Sequence, residues 1–141
     1  MLFLAQSDTT AGFLSQNESK INLAKGRGEK KVLLEVESLA TLKDFVRIPQ
    51  KHKNLIRRSS KTTFIYPNSK ACRVIKDPLH LRFLQVFKWM YSSSANPTKE
   101  VFSLDFATQK AEVIIQDKRG IYESTPSKIY KINQAQIKRI R

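Results

Sequence analysis

The segment DPLHLRFLQVFKWMYSSSANP, residues 77–97, contains a helix signal, a strand signal and a polar turn in immediate succession. Asp77 is a residue type that caps helix N-termini, and the proline after it suits the first helical position. Apolar side chains then recur every three or four residues, as on a helix with one buried face (Leu79, Phe83, Val86, Phe87 and Met90). The pattern predicts a helix from Pro78 to about Met90, followed by a short strand that begins at Trp89 and ends at the serines.

The rest of the chain mixes strand and helix signals without a regular strand–helix–strand repeat. Apolar or alternating segments predict strands (residues 2–6, 31–36, 62–66, 71–75, 112–116, 128–132 and 136–140). Helices are predicted at residues 18–25, after the capping residue Ser38 and at residues 100–108, while Ser7 to Thr10 is typical of a turn or a helix cap. This mingling favours an α+β domain with a twisted, mixed sheet.

Length and composition restrict the class of protein. A chain of 141 residues is typical of one domain, and Cys72 is its only cysteine, which excludes an internal disulfide and a cysteine-based zinc cluster. Two isolated histidines, His52 and His80, give no metal site. A lone cysteine suits the reducing cytoplasm, and no apolar run approaches the roughly 18 residues of a membrane span. We expect a cytoplasmic protein without a membrane partner.

Positive charge is concentrated in two segments. The net charge is +14, of which residues 47–82 contribute +9 and residues 128–141 contribute +5, leaving the remainder neutral. Such a concentration predicts a polyanionic partner, either nucleotide phosphates or nucleic acid, and hence a basic face. The alternative is a solvated surface that serves only solubility.

Three polar segments carry residue types that could bind phosphate, and a fourth polar segment lies near the end of the chain. Lys25-Gly26-Arg27-Gly28 offers two cations beside flexible backbone, although a solvated helix end gives the same pattern. Arg57 to Thr63 interleaves cations with hydroxyls, as an exposed loop also does. The run Ser92 to Asn96 presents donors and acceptors, or satisfies its own turn. The fourth segment, Asp117 to Thr125, combines an acidic turn with two hydroxyls, as an ordinary turn before a strand also does.

Several enzyme classes find no support in the sequence. It contains no G-x-S-x-G, no paired carboxylates at helical spacing and no histidine cluster. The sequence therefore gives no indication of a hydrolase or a metalloenzyme.

The order of the polar segments resembles that of the YrdC-like threonylcarbamoyl-AMP synthase family. That family reads T-D-T-x-Y-G-L, K-x-R, P-G-P-x-T, a strand arginine, T-S-A-N, and an acidic turn before S-T. The matching positions here run in the same order (Ser7 to Phe13, Lys25 to Arg27, Ser59 to Thr63, Arg73, Ser93 to Asn96, and Asp117 before Ser124-Thr125). The resemblance covers nearly the whole chain and implies an α/β twisted sheet with a basic concave face.

The resemblance also implies an activity. The family forms L-threonylcarbamoyladenylate and pyrophosphate from L-threonine, bicarbonate or CO2, and ATP, with Mg2+ carried by the nucleotide. Other proteins then transfer the threonylcarbamoyl group to adenosine at position 37 of tRNA. Some members bind double-stranded RNA or tRNA.

The implied site residues fall into two groups. Catalytic phosphate neutralisation would fall to Lys25 and Arg27, and no protein metal ligand is implied. ATP would be bound by five residues (Lys25, Arg27, Ser94, Asn96 and Arg139). Threonine and its carbamate would be bound by five others (Thr9, Thr63, Arg73, Ser93 and Ser124).

Some positions depart from the family pattern. Ala11 replaces a tyrosine, Ser59-Ser60-Lys61 replaces P-G-P, and Pro97-Thr98 alters the segment after T-S-A-N. Residues 1–141 would form one YrdC-like domain, shortened at the N-terminus and without an additional C-terminal domain.

Three interpretations stay open: a minimal synthase, a non-catalytic double-stranded RNA- or tRNA-binding module of the same fold, or a basic protein without a nucleotide site.

Overall fold

The computed structural model describes residues 1–141 and contains nine strands and five α-helices. The strands are β1 Phe3–Gln6, β2 Ala11–Ser15, β3 Leu33–Val36, β4 Thr62–Ile65, β5 Ala71–Val74, β6 Trp89–Ser94, β7 Val113–Ile115, β8 Lys128–Ile132 and β9 Ile137–Arg139. The helices are α1 Glu18–Lys25, α2 Leu39–Leu42, α3 Lys53–Arg58, α4 Pro78–Phe87 and α5 Leu104–Lys110, with a 3₁₀ turn at Gln50–His52.

All nine strands form one mixed sheet. Their order is β7-β1-β2-β6-β3-β5-β4-β8-β9. Three neighbouring pairs are parallel (β1–β7, β3–β5 and β4–β8), and the other five are antiparallel. The α+β class with a twisted mixed sheet is therefore confirmed.

The two faces of the sheet are covered unequally. On one face, α1 and α5 pack on β1 and β2, while α2 and α3 pack on β3, β4, β5 and β8. The opposite face carries α4, whose Leu84 packs against Leu14 and Met90. Beyond α4 this second face has no covering helix, and we call that region the open face.

Helix α4 and strand β6 follow the prediction from residues 77–97. The Asp77 carboxylate accepts a hydrogen bond from His80 N at 2.9 Å, and Lys88, with φ +73°, turns the chain into β6. The buried stripe centres on His80 and Leu84, whereas Val86 is 75% exposed. The prediction for Val86 was wrong because the ring of His80, bound to Glu35, faces the sheet instead.

Other elements differ from the predictions or were missed. Strand β2 was not predicted because all five of its residues are buried, so it lacks alternation. The helix capped by Ser38 is short and ends at Leu42, and residues 50–58 form an unpredicted 3₁₀ turn and helix. Helix α5 begins four residues later than predicted, where Ser103 caps it. No helix has the length and apolarity needed to cross a membrane.

Candidate functional site

A cavity of about 340 Å³ lies in the open face, beside α4. Its walls come from five places: the β1–β2 turn, the segment that joins α1 to β3, the end of β6, strands β4 and β5, and the start of β8 with the last residue of the chain. Hydroxyls and cations dominate the lining (Ser7, Thr9, Thr10, Arg27, Lys30, Lys31, Thr63, Arg73, Ser92, Ser93, Ser94, Ser127 and Arg141). A polar cavity with several cations and no acidic side chain in its lining suits an anionic ligand.

Lys25 supports the wall that the serines form. Gly26 has φ +69° and ends α1 in the left-handed region, so Lys25 is the last helical residue. Its ammonium donates to Ser94 O at 2.6 Å, Asn96 O at 2.8 Å and Asn96 Oδ1 at 3.1 Å. Lys25 thus touches the cavity wall from behind, is 5% exposed and does not line the cavity.

The environment of Lys25 lowers the pKa of its ammonium group. Burial, followed by the charges of Arg27 and Lys30, lowers the pKa of Lys25 to about 8. The ammonium therefore remains mostly protonated at neutral pH. A single ammonium thereby fixes the backbone of the serine run and adds positive potential close to the cavity.

Asn96 serves the turn rather than the cavity. Its amide nitrogen donates to Pro97 O at 3.0 Å and to Glu100 O at 2.7 Å, while its oxygen accepts from Lys25. Thr98 donates from its backbone N and its hydroxyl to Lys25 O, both at 3.1 Å. The segment after the serines thus closes the end of α1.

The β1–β2 turn supplies hydroxyls on the opposite side. Ser7 Oγ donates to Thr10 O at 2.7 Å, so the hydroxyl of Thr9, 3.1 Å away, donates its proton to Ser7 Oγ. The oxygen of Thr9 therefore retains acceptor capacity at the cavity. Ala11, where the family carries tyrosine, is fully buried in the core and adds nothing to the cavity.

Arg73 lies in the floor of the cavity within a buried charge network. Its Nη2 lies 3.0 Å from Asp8 Oδ1 and 2.9 Å from Glu35 Oε2, and Glu35 Oε1 contacts His80 Nε2. Burial alone would raise the pKa of Glu35, but the His80 and Arg73 charges lower it to about 2. Burial raises the pKa of Asp8 against the opposing effect of Arg73. Arg73 is thus already paired with two carboxylates.

Thr63, Ser127 and Arg141 form the wall nearest the sheet edge. The hydroxyls of Thr63 and Ser127 are 2.8 Å apart, and Arg141 donates to Ser127 O at 2.9 Å and to Ser127 Oγ at 3.2 Å. Ser127 is 3% exposed. These contacts hold an arginine beside two hydroxyls at the cavity.

A bulge explains why Arg141 rather than Arg139 lines the cavity. The amides of Ile140 and Arg141 both donate to Ile129 O, at 2.8 and 3.1 Å. Two residues opposite one constitute a β-bulge, which breaks the alternation of side chains. Arg139 instead pairs with Tyr130, whose ring stacks on Phe64 on the helix-covered face.

The structure brings together most of the residues assigned from sequence. Six line the cavity (Thr9, Arg27, Thr63, Arg73, Ser93 and Ser94), and Lys25 and Asn96 lie behind its wall. Ser124 and Arg139 lie outside it; Ser124 instead donates its backbone N to Thr10 Oγ1 at 3.0 Å. Sequence reasoning missed Lys30, Lys31, Ser127 and Arg141 as lining residues. The positive charge of residues 128–141 was the available signal for Arg141.

No group of three or more histidine, cysteine, aspartate or glutamate side chains is arranged to hold a metal ion. The lone thiol, Cys72, is buried, and burial raises its pKa to about 12.

No protein-family model matches the sequence, and no curated protein is similar to it in sequence. Solved structures do share its fold. A double variant of P. abyssi Sua5 superposes with a TM-score of 0.81 at 18% identity, over 96% of this chain and 50% of that one. The chain has the YrdC-like fold of Sua5.

Two further similar structures contain ligands. P. abyssi Sua5 complexed with L-threonine gives a TM-score of 0.77 at 17% identity, over 99% of this chain and 49% of that one. Full-length HypF in its phosphate- and nucleotide-bound form gives 0.77 at 12% identity, over 99% of this chain and 26% of that one. The chain thus spans half or less of the length of these three structures.

Proposed function

We propose that the chain forms L-threonylcarbamoyladenylate and pyrophosphate from L-threonine, bicarbonate or CO2, and ATP. The observation that carries the proposal is the convergence of Arg27, the Lys25-supported serines and Thr63 on one polar cavity. The motif order supports it independently of the fold. The volume of about 340 Å³ falls within the range of small-molecule pockets.

The residues suit a reaction that needs alignment and charge neutralisation. A carbamate oxygen attacks the α-phosphorus of ATP, the bond from that phosphorus to the bridging oxygen breaks, and pyrophosphate leaves with the electron pair. Such transfer depends on positioning and on cations around the phosphates more than on a strong base. Arg27, with Lys25 behind the wall, supplies that charge; Mg2+ carried by ATP neutralises the phosphates further.

The hydroxyls divide between the two substrates. Ser94 at the end of β6 is the contact proposed for ATP, beside Arg27. Ser93, Thr9 and Thr63 are those proposed for threonine and its carbamate, and Arg141 takes the ATP-binding role that the sequence predicted for Arg139. Arg73 contributes by holding Asp8 and the β1–β2 turn as much as by its own charge.

The product is a mixed anhydride that hydrolyses unless it is consumed. A transferase that moves the threonylcarbamoyl group to tRNA, at position 37, is therefore the partner we propose. The cytoplasm is the compartment in which such a partner and its tRNA are available.

A matched pair of arginine variants tests the proposal. Arg27→Ala removes a cation that lines the cavity, and we expect it to lower threonine-dependent pyrophosphate release at least a hundredfold. Arg139→Ala removes the same charge outside the cavity and should leave the rate within about twofold. Equal rates in wild type and Arg27→Ala would refute the assignment.

RNA binding is a second candidate function, which a separate surface favours. A groove of about 800 Å³ is lined by residues 43–53 and by the turns that follow β4 and β8, and it shares no residue with the cavity. Lys43, Arg47 and Lys53 face it with one acid, Asp44. We call it the basic groove.

A pair of lysines extends the positive charge towards the cavity. Lys131 and Lys138 stand directly opposite each other on β8 and β9, on the same side of the sheet as Ile129 in the cavity lining. Like charges directly opposite each other destabilise a sheet, so a polyanion bound across the two lysines would reduce the repulsion between them. Of the apolar residues that line the basic groove, Val46 and Tyr66 are buried and Phe45 and Ile48 are half-buried. The cations Lys43 and Arg47 are exposed, which favours a phosphate backbone as the partner.

The salt dependence of binding to a labelled RNA hairpin tests this second function. Lys43→Gln/Arg47→Gln/Lys53→Gln should reduce the slope of log affinity against log salt by about 2 to 3. The matched control, Lys99→Gln/Lys110→Gln/Lys118→Gln, removes as many exposed cations elsewhere. An equal loss in both triple variants would show a general charge effect and no RNA site in the basic groove.

A further inference from the structure

Arg119 lies in the loop between β7 and β8, outside the cavity, and uses all five of its N–H donors. Nε donates to Asp117 Oδ1 at 3.0 Å, and Nη2 donates to Asp117 Oδ2 at 2.7 Å and to Gln6 O at 3.2 Å. Nη1 donates to Ser7 O at 3.2 Å and to Asp77 Oδ2 at 3.0 Å. One side chain therefore joins its own loop, the end of β1 and the cap of α4.

The carbonyls that Arg119 holds belong to Gln6, the last residue of β1, and to Ser7 in the turn that forms one wall of the cavity. Ser7, Thr9 and Thr10 in that turn all line the cavity. The carboxylate of Asp8, between them, lies 3.0 Å from Arg73 Nη2. The turn is thus held at its backbone by one arginine and at a side chain by another.

Helix α4 connects the two arginines. Asp77 accepts from Arg119 and from His80 N, and the ring of His80 contacts Glu35, which pairs with Arg73. The contacts close a ring that begins and ends at the β1–β2 turn. A displacement of Arg119 would therefore move the turn without any change in the cavity's own side chains.

We propose that Arg119 is a positioning residue that fixes the hydroxyl of Thr9 for the threonine substrate. The inference rests on the proposed function and adds to it a residue that does not touch substrate. Loss of Arg119 leaves Asp77 and Asp117 a quarter or more exposed to water, so they do not become buried unpaired charges. The carbonyls of Gln6 and Ser7, by contrast, lose a donor directly beside the cavity.

Steady-state kinetics of Arg119→Met and Arg119→Lys, with the control Lys118→Met, test the proposal. Lys118 is the exposed neighbouring cation, so its variant removes the same charge without these contacts. In Arg119→Met we expect the KM for threonine to rise about tenfold, because small displacements of positioning groups are costly, while the KM for ATP stays within twofold. In Arg119→Lys we expect a smaller rise of the KM for threonine than in Arg119→Met, since lysine supplies the charge but only three donors.

The outcomes separate this inference from the proposed function. Turnover by wild type with an unchanged threonine KM in Arg119→Met would overturn the positioning role and leave the synthase assignment intact. Equal increases of both KM values with a lowered Tm would reduce Arg119 to a stabilising residue and also overturn it. Absence of turnover in wild type would refute both. If Arg119→Met fails to fold, Asp77→Asn keeps the helix cap, removes one ionic contact and should raise the threonine KM alone.

Discussion

Neutralising Glu35 by Glu35→Gln is the most informative perturbation of the buried charge network. The Glu35 side chain is completely buried, accepts from Arg73 at 2.9 Å and contacts His80. Removing one partner of a buried ion pair costs about 3–5 kcal/mol, because the remaining charge is left without its partner. Asp8 still faces Arg73, so we expect the lower end, about 3 kcal/mol.

The pKa of Glu35 gives a similar value for the stability that the ionised Glu35 contributes. A fall from the ordinary 4.5 to about 2 corresponds to ~3 kcal/mol at 1.36 kcal/mol per pH unit. Because the pKa in the folded state is the lower one, this stability is fully present above pH 4.5. It is lost as the pH falls through about 2. The difference between wild type and Glu35→Gln should therefore shrink steadily over that window.

Urea unfolding at several pH values measures the effect. With a slope near 2 kcal/mol/M, we expect the midpoint of Glu35→Gln at pH 7 to fall by about 1.5 M. Glu112→Gln is the control, since it breaks the exposed pair with Lys20 and should change the midpoint little. A difference from wild type that is below 1 kcal/mol at pH 7, or that does not depend on pH, would refute the reasoning.

Three further variants or reagents test other parts of the structure. Arg141→Ala should weaken ATP binding at least tenfold, while Arg139→Ala should not; calorimetric titration of both variants with ATP distinguishes them. The pKa of Lys25 in the folded state, about 8, is below its ordinary 10.5, so its contribution makes stability rise between pH 8 and 10.5. Lys25→Met should remove that rise in urea unfolding. Cys72, with its pKa raised to about 12, should resist a thiol reagent at pH 8 until urea unfolds the chain.

The fold was predictable where local signals and burial agree. Asp77, Pro78 and the apolar spacing after them define α4, and the polar run at its far side marks the end of β6. Strand β2 could not be predicted because Phe13 and Leu14 are buried on opposite faces of the sheet, which removes the alternation of a half-exposed strand. Helix α3 has only one buried residue, Ile56, and thus too little periodicity.

The sequence predicted which residues form the candidate site better than it predicted the role of each residue. The order of the motifs predicted that Arg27, Ser94 and Thr63 belong to one site, and all three line the cavity. It did not predict that Lys25 and Asn96 lie behind the cavity wall. Arg141 was missed because a bulge depends on hydrogen bonds between strands distant in sequence. Arg119 was missed because the four residues that accept its five hydrogen bonds lie in three separate segments of the chain.

Direct detection of the product tests the central claim. The chain is incubated with ATP, L-threonine and ¹³C-labelled bicarbonate, quenched at once, and examined by mass spectrometry for the labelled adenylate. We predict a labelled L-threonylcarbamoyladenylate that requires all three substrates and is absent with Arg27→Ala. Absence of the adenylate from folded wild-type protein that is saturated with ATP and threonine would contradict the account.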